Sequence, residues 1–318
     1  MHRPPVPTHT IGFTKGLGFA LIAAIGFGLQ PWVAKSAYAQ GVTIEQLLFF
    51  RSIVLSLMFG SILALQLRNE QKRGILRPAV TRNTIIISLI GGVIGFYITP
   101  ITDLHALTRI DTSLERVLLY TFPGFVLVFH AIAYRKRPAL SQICALIIIL
   151  LGIYLVTGGA EHEITIDHEG IFWVISSASA FAIYVLFNQR VTPQLGSLRF
   201  MTYAAHGAMI AIAAHVIIIW PFSLWSTSPM GAAYTLLFGI GTTFIPSFCF
   251  SEGIRRIGGA RASLVVTLSP ILTTMIGIWV LGESLSFFQM MGGLLVIGSV
   301  LSLELWALYQ HKKPPITA

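Results

Sequence analysis

Apolar residues along the chain fall into ten long runs separated by short polar connections: residues 16–38, 45–67, 83–104, 112–134, 140–158, 169–190, 198–220, 231–253, 260–281 and 286–309. Each run is about 19–24 residues long, and at about 1.5 Å per residue that crosses a hydrocarbon core of ~30 Å. Lipid offers the backbone no hydrogen-bond partner, so a run of this length predicts a transmembrane helix. The period-two alternation of a membrane barrel is missing: Ile85–Ile90 and Ile147–Leu151 are almost continuously apolar. The expected fold class is an all-α integral membrane protein with ten transmembrane helices.

The pattern is stated twice. The offset that carries Pro123 onto Pro270 also carries Arg109 onto Arg256, Ile110 onto Ile257 and Gln142 onto Gln289. Internal duplication at about half the chain length changes the fold expectation, here toward two copies of one membrane unit. Ten spans divide into five and five, and an odd number per unit means that the second enters the membrane upside down. The expected organisation is a tail at 1–15, a first five-helix repeat at 16–158, an extracytoplasmic connection at 159–168, a second repeat at 169–309 and a tail at 310–318.

Composition agrees with this. Of 318 residues 55% are hydrophobic and 10% charged, with a mean hydropathy of +0.78, whereas soluble domains carry about 25% charged residues. The net charge of +9 would suggest nucleic acid if it lay on one surface. Instead the cations sit in alternate connections, such as Arg68 to Arg82, Arg135 to Arg137, Arg255 to Arg261 and the final Lys312 and Lys313. The intervening connections carry Glu45, Asp103, Asp111, Glu161, Glu163, Asp167, Glu169 and Glu283, with Arg109 among them. That is the positive-inside bias, and it predicts a multi-pass protein of the inner or plasma membrane with both termini cytoplasmic. It leaves a nucleic-acid partner nothing to explain. Met1–Thr14 lacks the apolar core of a cleaved leader. No Gly-x-x-x-x-Gly-Lys-Ser/Thr loop and no long polar stretch point to an ATP-driven pump or a separate catalytic domain. Cys144 and Cys249 lie in separate apolar runs and read as small buried hydrophobes. No cofactor and no metal are expected.

The duplicated segments carry a resemblance. Ala106-Leu-x-x-Ile-x-Thr-Ser-Leu-x-x-Val-Leu-x-Tyr-x-Phe-Pro123 resembles the fourth-helix signature of EamA-type proteins in the drug/metabolite transporter superfamily. Gly253-Ile-Arg-Arg-Ile-Gly-Gly-Ala-Arg-Ala-Ser-Leu-x-x-x-x-x-Pro270, followed by Leu281-Gly-Glu-Ser284, resembles the ninth-helix signature. The first repeat departs from the pattern at Tyr134-Arg-Lys-Arg-Pro138, a basic connection that suits a cytoplasmic side. The resemblance implies a central cavity lined mainly by helices 1, 3, 4, 6, 8 and 9, alternating access, and export of an amino acid or related metabolite.

Ionisable groups inside spans are costly and are functional candidates by default. Lys35, Arg51, Glu115 and Arg116 gather in the expected outer half, against the topology bias. One reading is an electropositive site for a carboxylate or phosphate, with Arg51 as the fork, Lys35 as the point charge and Glu115 as partner or proton carrier. The other is structural: Lys35 snorkels, and Arg51 and Glu115 pair across helices. His206 is either a second coupling candidate or a core histidine bonded to a facing helix. Glu252 reads as a helix-end ion pair with Arg255 and Arg256. Aligning Gly18 with Gly170 sets Trp32 against Tyr184 and Ser36 against Asn188, and the main offset sets Tyr97 against Phe244. Trp32, Tyr97, Tyr184, Asn188, Phe244 and Ser247 are therefore expected to shape a substrate cavity, or else to be packing residues. Pro123 and Pro270 are expected hinges, each splitting its span.

The partners are a small polar solute and the bilayer, with monomer and homodimer both open. A membrane-embedded enzyme acting on lipid would need clustered carboxylates or histidines at one interface. Glu252 and Glu304 are the inner candidates and no motif links them, so the reading is a transporter and not an enzyme.

Overall fold

A computed structural model describes residues 8–74, 80–119, 121–133, 167–219 and 228–266 continuously, with scattered positions from 140 to 155 and from 269 to 302. The expected fifth and ninth spans lie largely outside the described residues and the tenth in part, and Pro270 and Glu304 lie wholly outside them. The described elements are helical. They begin with α1 (Thr8–Ala39) and α2 (Ile44–Lys72). The third span is one continuous helix in three parts: α3 (Arg82–Val93), a π-helical turn (Ile94–Ile98) and α4 (Thr99–Leu107). Next come α5 (Thr112–Leu119), α6 (Phe122–Ala133), α7 (His168–Leu195) and α8 (Ser197–Ile219). The eighth span repeats the three-part form, with α9 (Pro229–Gly239), a π turn (Ile240–Phe244) and α10 (Ile245–Ile257), and α11 (Gly259–Val266) follows.

Among the described residues six helical segments are long and apolar enough to cross a membrane. Their outward faces carry exposed Leu57, Phe172, Ile210 and Ile217, an apolar surface that water would not tolerate over such an area.

Local chemistry sets the boundaries. Thr43 and Gln46 form a capping box at the start of α2, with bonds of 3.3 and 3.0 Å. Thr81, Asp167 and Ser228 cap α3, α7 and α9. The two π turns have a common cause. Pro100 and Pro246 each stand two residues after a turn and lack the N–H that would bond the carbonyl four residues back, so the ladder widens there. The fourth span is also broken, between α5 and α6. Pro123 is the second residue of α6, and Thr121 folds back on the Leu118 carbonyl at 2.8 Å.

Packing pairs α1 with α9–α10, and α7 with α3–α4, while α8 lies against α2 and α3. Two contacts repeat. A Cβ on Gly16, early in α1, would stand 2.5 Å from the Ile257 side chain and 3.0 Å from that of Arg256. A Cβ on Gly170, early in α7, would stand 2.7 Å from Ile110 and 3.2 Å from Arg109. The duplicated Arg-Ile pair therefore docks both times on the glycine that opens the first helix of the other half. Where α3 crosses α8 the backbones touch: a Cβ on Gly92 would lie 2.0 Å from the Ala204 carbonyl oxygen, and one on Gly207 would lie 2.3 Å from that of Leu89. Small residues at such crossings let dispersion do what the hydrophobic effect cannot do in lipid.

Candidate functional site: a buried cavity with one cation and one anion

Midway through the bundle a cavity opens between helices of both halves. Its walls come from α1 (Phe27, Gln30), α2 (Arg51), the third span (Gly95 to Asp103), α5–α6 (Leu119, Phe122), α7 (Phe181, Tyr184), the eighth span (Thr243, Ser247, Phe250) and α11 (Val266). Its accessible volume is about 70 Å³. That is room for a few waters, against roughly 300–1,000 Å³ for a small-molecule pocket. In this conformation the cavity is small.

Two of the described lining residues are charged, Arg51 and Asp103. Arg51 is 2% exposed. Its guanidinium donates to the carbonyl of Phe96 in the first π turn, the carbonyl that Pro100 leaves without its α-helical donor. Its Nε–H has no hydrogen-bond partner among the described residues. Asp103 is 5% exposed, one turn beyond Thr99 on α4, and its charge acts on Arg51. In a low-dielectric interior such charges interact far more strongly than in water.

Opposite them stands an aromatic wall. The Tyr184 ring lies 5.6 Å from Phe181, 5.4 Å from Phe96 and 6.1 Å from Phe200, centroid to centroid. Gly95 admits it: a Cβ there would come within 2.2 Å of the ring. Asn188 donates to the Tyr184 hydroxyl at 3.2 Å and accepts from Ser251 at 3.2 Å, tying α7 to α10 behind the wall. Ser177 donates to the Thr99 carbonyl at 2.9 Å and joins α7 to the third span.

The sequence expectations divide here. Arg51, Tyr184 and Ser247 line the cavity, and Asn188 supports it. Trp32 does not face it. Its ring packs edge-on against Tyr234, 6.4 Å away, in a separate apolar cluster of α1, α2, α4, α8 and α9. Tyr97 turns toward α8 and shares a 2.6 Å hydrogen bond with His215 Nδ1. Phe244 stacks on Phe59 of α2 at 4.5 Å. The pairing of Tyr97 with Phe244 is corrected by the π turns. Ile94–Ile98 matches Ile240–Phe244 and Pro100 matches Pro246, so Thr243 is the counterpart of Tyr97. The offset in these spans is one residue shorter than the one that aligns the two prolines of the fourth and ninth, and one residue turns a helix by about 100°.

Lys35 is half-buried on α1 and does not line the cavity. His206 is exposed on the outer face of α8, with Nδ1 2.7 Å from the carbonyl of Thr202 on its own helix. Among the described residues it makes no hydrogen bond to a facing helix, which corrects that expectation, and it does not line the cavity. Glu115 is fully buried in the first turn of α5, one turn before cavity-lining Leu119. Glu252 forms the expected helix-end network, with bonds to Arg255 (2.5 Å), Arg256 (2.6 Å) and Ser197 (2.9 Å). At the end of the bundle where α7 begins, Arg109 pairs with Glu169 at 2.8 Å and Asp167 at 3.4 Å. The Asp167 carboxylate accepts the N–H of Gly170 and lies beside Arg109, which holds it below its usual range.

The residue that sequence reasoning missed is Asp103. The expected span ran to residue 104, yet Asp103 was assigned to the connection beyond it. The available signal was its place one turn after Thr99-Pro100, on the face that a proline-distorted helix offers to a cavity.

An apolar, multi-helix bundle with a charged cavity enclosed by its helices defines a multi-pass integral membrane protein. The sequence pattern of the EamA-like transporter family matches residues 14–158 and 168–304, and the chain belongs to that family. It is 27% identical over 287 residues to YcbK of Bacillus subtilis, an uncharacterized transporter, covering 87% of this chain and 88% of that protein. It is 25% identical over 293 residues to the uncharacterized inner membrane transporter YicL of Salmonella typhimurium, covering 92% and 95%. A solved crystal structure of a protein superposes with a TM-score of 0.64 at 16% identity, covering 94% of this chain and 99% of that one, which speaks for the fold alone. The protein is a membrane transporter.

Proposed function

We propose that the protein is a ten-helix secondary transporter of the inner or plasma membrane, with both termini cytoplasmic. It moves a small polar metabolite, an amino acid or organic anion, by alternating access between two inverted five-helix repeats. Export is the direction that the family resemblance favours. The observation that carries this reading is the small cavity with Arg51 buried in its wall, lined by helices of both halves. A residue so costly to bury has to be retained for a reason, and the wall of a solute path supplies one. The repeated docking of Arg109-Ile110 on Gly170 and of Arg256-Ile257 on Gly16 supports the inverted arrangement. Bending at Pro123, and at the π turns before Pro100 and Pro246, offers places where the walls can part.

The test is uptake by proteoliposomes of a labelled panel of amino acids and organic anions, with and without an imposed pH gradient, for wild type and Arg51→Ala. Saturable uptake that Arg51→Ala abolishes while remaining monodisperse is the expected result. Normal uptake by Arg51→Ala makes the guanidinium structural and sinks the reading of the cavity. The pH-gradient arm decides whether a proton is coupled, with Glu115 the buried carboxyl to pursue.

A further inference from the structure

Ionisable side chains within a span almost always face the interior of a bundle. His206 stands near the middle of α8 and is exposed on its outer face. Its Nδ1 lies 2.7 Å from the Thr202 carbonyl oxygen. A carbonyl only accepts, so Nδ1 carries the proton and the neutral ring is left with Nε2 as an acceptor. Among the described residues nothing donates to Nε2. That end of the ring lies beside α2: a Cβ on Gly60 would stand 3.5 Å from Cε1 and 3.9 Å from Nε2. The next residue, Ser61, is also exposed, and its hydroxyl has no hydrogen-bond partner among the described residues. Side-chain bonds fix α2 and α8 at this level, from Ser56 to the Ala205 carbonyl at 3.1 Å and from Thr202 to the Phe59 carbonyl at 3.2 Å. One outer face thus carries an unused acceptor and an unused donor at nearly the same depth, where hydrocarbon can satisfy neither.

A second copy of the chain supplies what each group lacks. Two copies inserted the same way up are related by a two-fold axis along the membrane normal, so a residue at one depth meets the partner's residues at that depth. We infer that the outer face of α2 and α8 is a homodimer interface, in which Ser61 of each copy donates to His206 Nε2 of the other. Two hydrogen bonds then form at once, and four unused polar groups leave the lipid. Leu57 and Leu65 of α2 and Ile210 and Ile217 of α8 are 63%, 59%, 67% and 73% exposed. They flank the polar pair and provide the packing that holds helices together in a bilayer.

The test is the monomer–dimer equilibrium in a bilayer. Full-length protein carrying a donor or an acceptor fluorophore at its C-terminus is reconstituted at falling protein-to-lipid ratios, and energy transfer reports association. Wild type is expected to dissociate reversibly on dilution. His206→Ala and Ser61→Ala are each expected to weaken association by roughly tenfold to a hundredfold, the worth of two interhelical hydrogen bonds in lipid. Ser61→Thr keeps the hydroxyl and is expected to stay within about threefold of wild type. Each single alanine removes the same two bonds, so the double variant is expected to associate no more weakly than either alone, to within about threefold. A wild type that is monomeric at every dilution means that lipid alone covers this face, and it overturns the inference. Association that His206→Ala leaves intact overturns it too, as do losses that add in the double variant. Should an alanine variant fail to fold, cross-linking decides. Copies with Ser61→Cys are mixed with copies with His206→Cys, both lacking Cys144 and Cys249 through alanine substitution, and treated with a short thiol-reactive cross-linker. A dimer yield well above that of either variant alone supports the interface, and a yield no higher overturns it. None of these outcomes bears on the transporter reading, which uptake tests separately.

Discussion

Replacing Gly92 by alanine tests the closest helix crossing in the protein. The added Cβ would lie 2.0 Å from the Ala204 carbonyl oxygen and 2.3 Å from its Cα, both backbone atoms of α8 that cannot rotate away. Ordinary contact begins near 3.4 Å, so α3 and α8 must separate by more than an ångström along that line. A radial gap of that size forfeits about half of the dispersion well for the atoms lining the crossing, including the reciprocal contact of Gly207 with Leu89. Overpacking of this kind costs about 1–3 kcal/mol. Alanine gains about 1 kcal/mol over glycine in helix propensity wherever it is placed. Gly18→Ala is therefore the control, because a Cβ there meets nothing within 4 Å. Gly92→Ala is expected to be less stable than Gly18→Ala by about 2 kcal/mol, read from unfolding by denaturant in detergent micelles. Gly207→Ala should behave as Gly92→Ala does. Equal stability of Gly92→Ala and Gly18→Ala would refute the backbone crossing and with it the arrangement of the third and seventh spans.

Four further outcomes are expected. Arg51→Ala destabilises the protein by about 1–3 kcal/mol, because the buried Phe96 carbonyl loses its donor. Combining it with Asp103→Ala recovers more than about 1 kcal/mol of that loss in a double-mutant cycle of unfolding free energies. Glu252→Gln, which weakens the network with Arg255, Arg256 and Ser197, lowers stability by about 1–3 kcal/mol in the same unfolding assay. His206→Ala leaves both uptake and its pH dependence unchanged, because the ring lies on the outer face of α8. Asp167→Ala lowers the melting temperature at neutral pH by removing the cap of α7 and the partner of Arg109. Because the folded carboxyl titrates below its usual value, its contribution is present above about pH 4 and fades as pH falls through the folded value. Wild type and variant melts should converge in that acidic window.

What the amino-acid order determined by itself was everything that depends on local length and periodicity. A run of twenty apolar residues must become a helix in lipid wherever it lies, so the six long spans among the described residues could be read without a structure. The duplicated Arg-Ile and proline positions exposed the repeat, and Glu252 could be paired because its partners are three and four residues away on the same helix. Arg51 was recognisable because a guanidinium in a span has few reasons to be there. What the tertiary structure decided was which way each side chain points, which depends on helix rotation. Each π turn adds a residue to one turn of its helix, and a single-residue error in register moves a side chain by about 100°. Tyr97 and Phe244 therefore left the expected cavity, and Phe96 and Thr243 took its walls. The acidic residue of the cavity was likewise a matter of folding. Asp103 lies on the last turns of α4, where local sequence suggests a connection, and only the packing of α4 against α2 and α7 encloses its carboxylate in the cavity of Arg51.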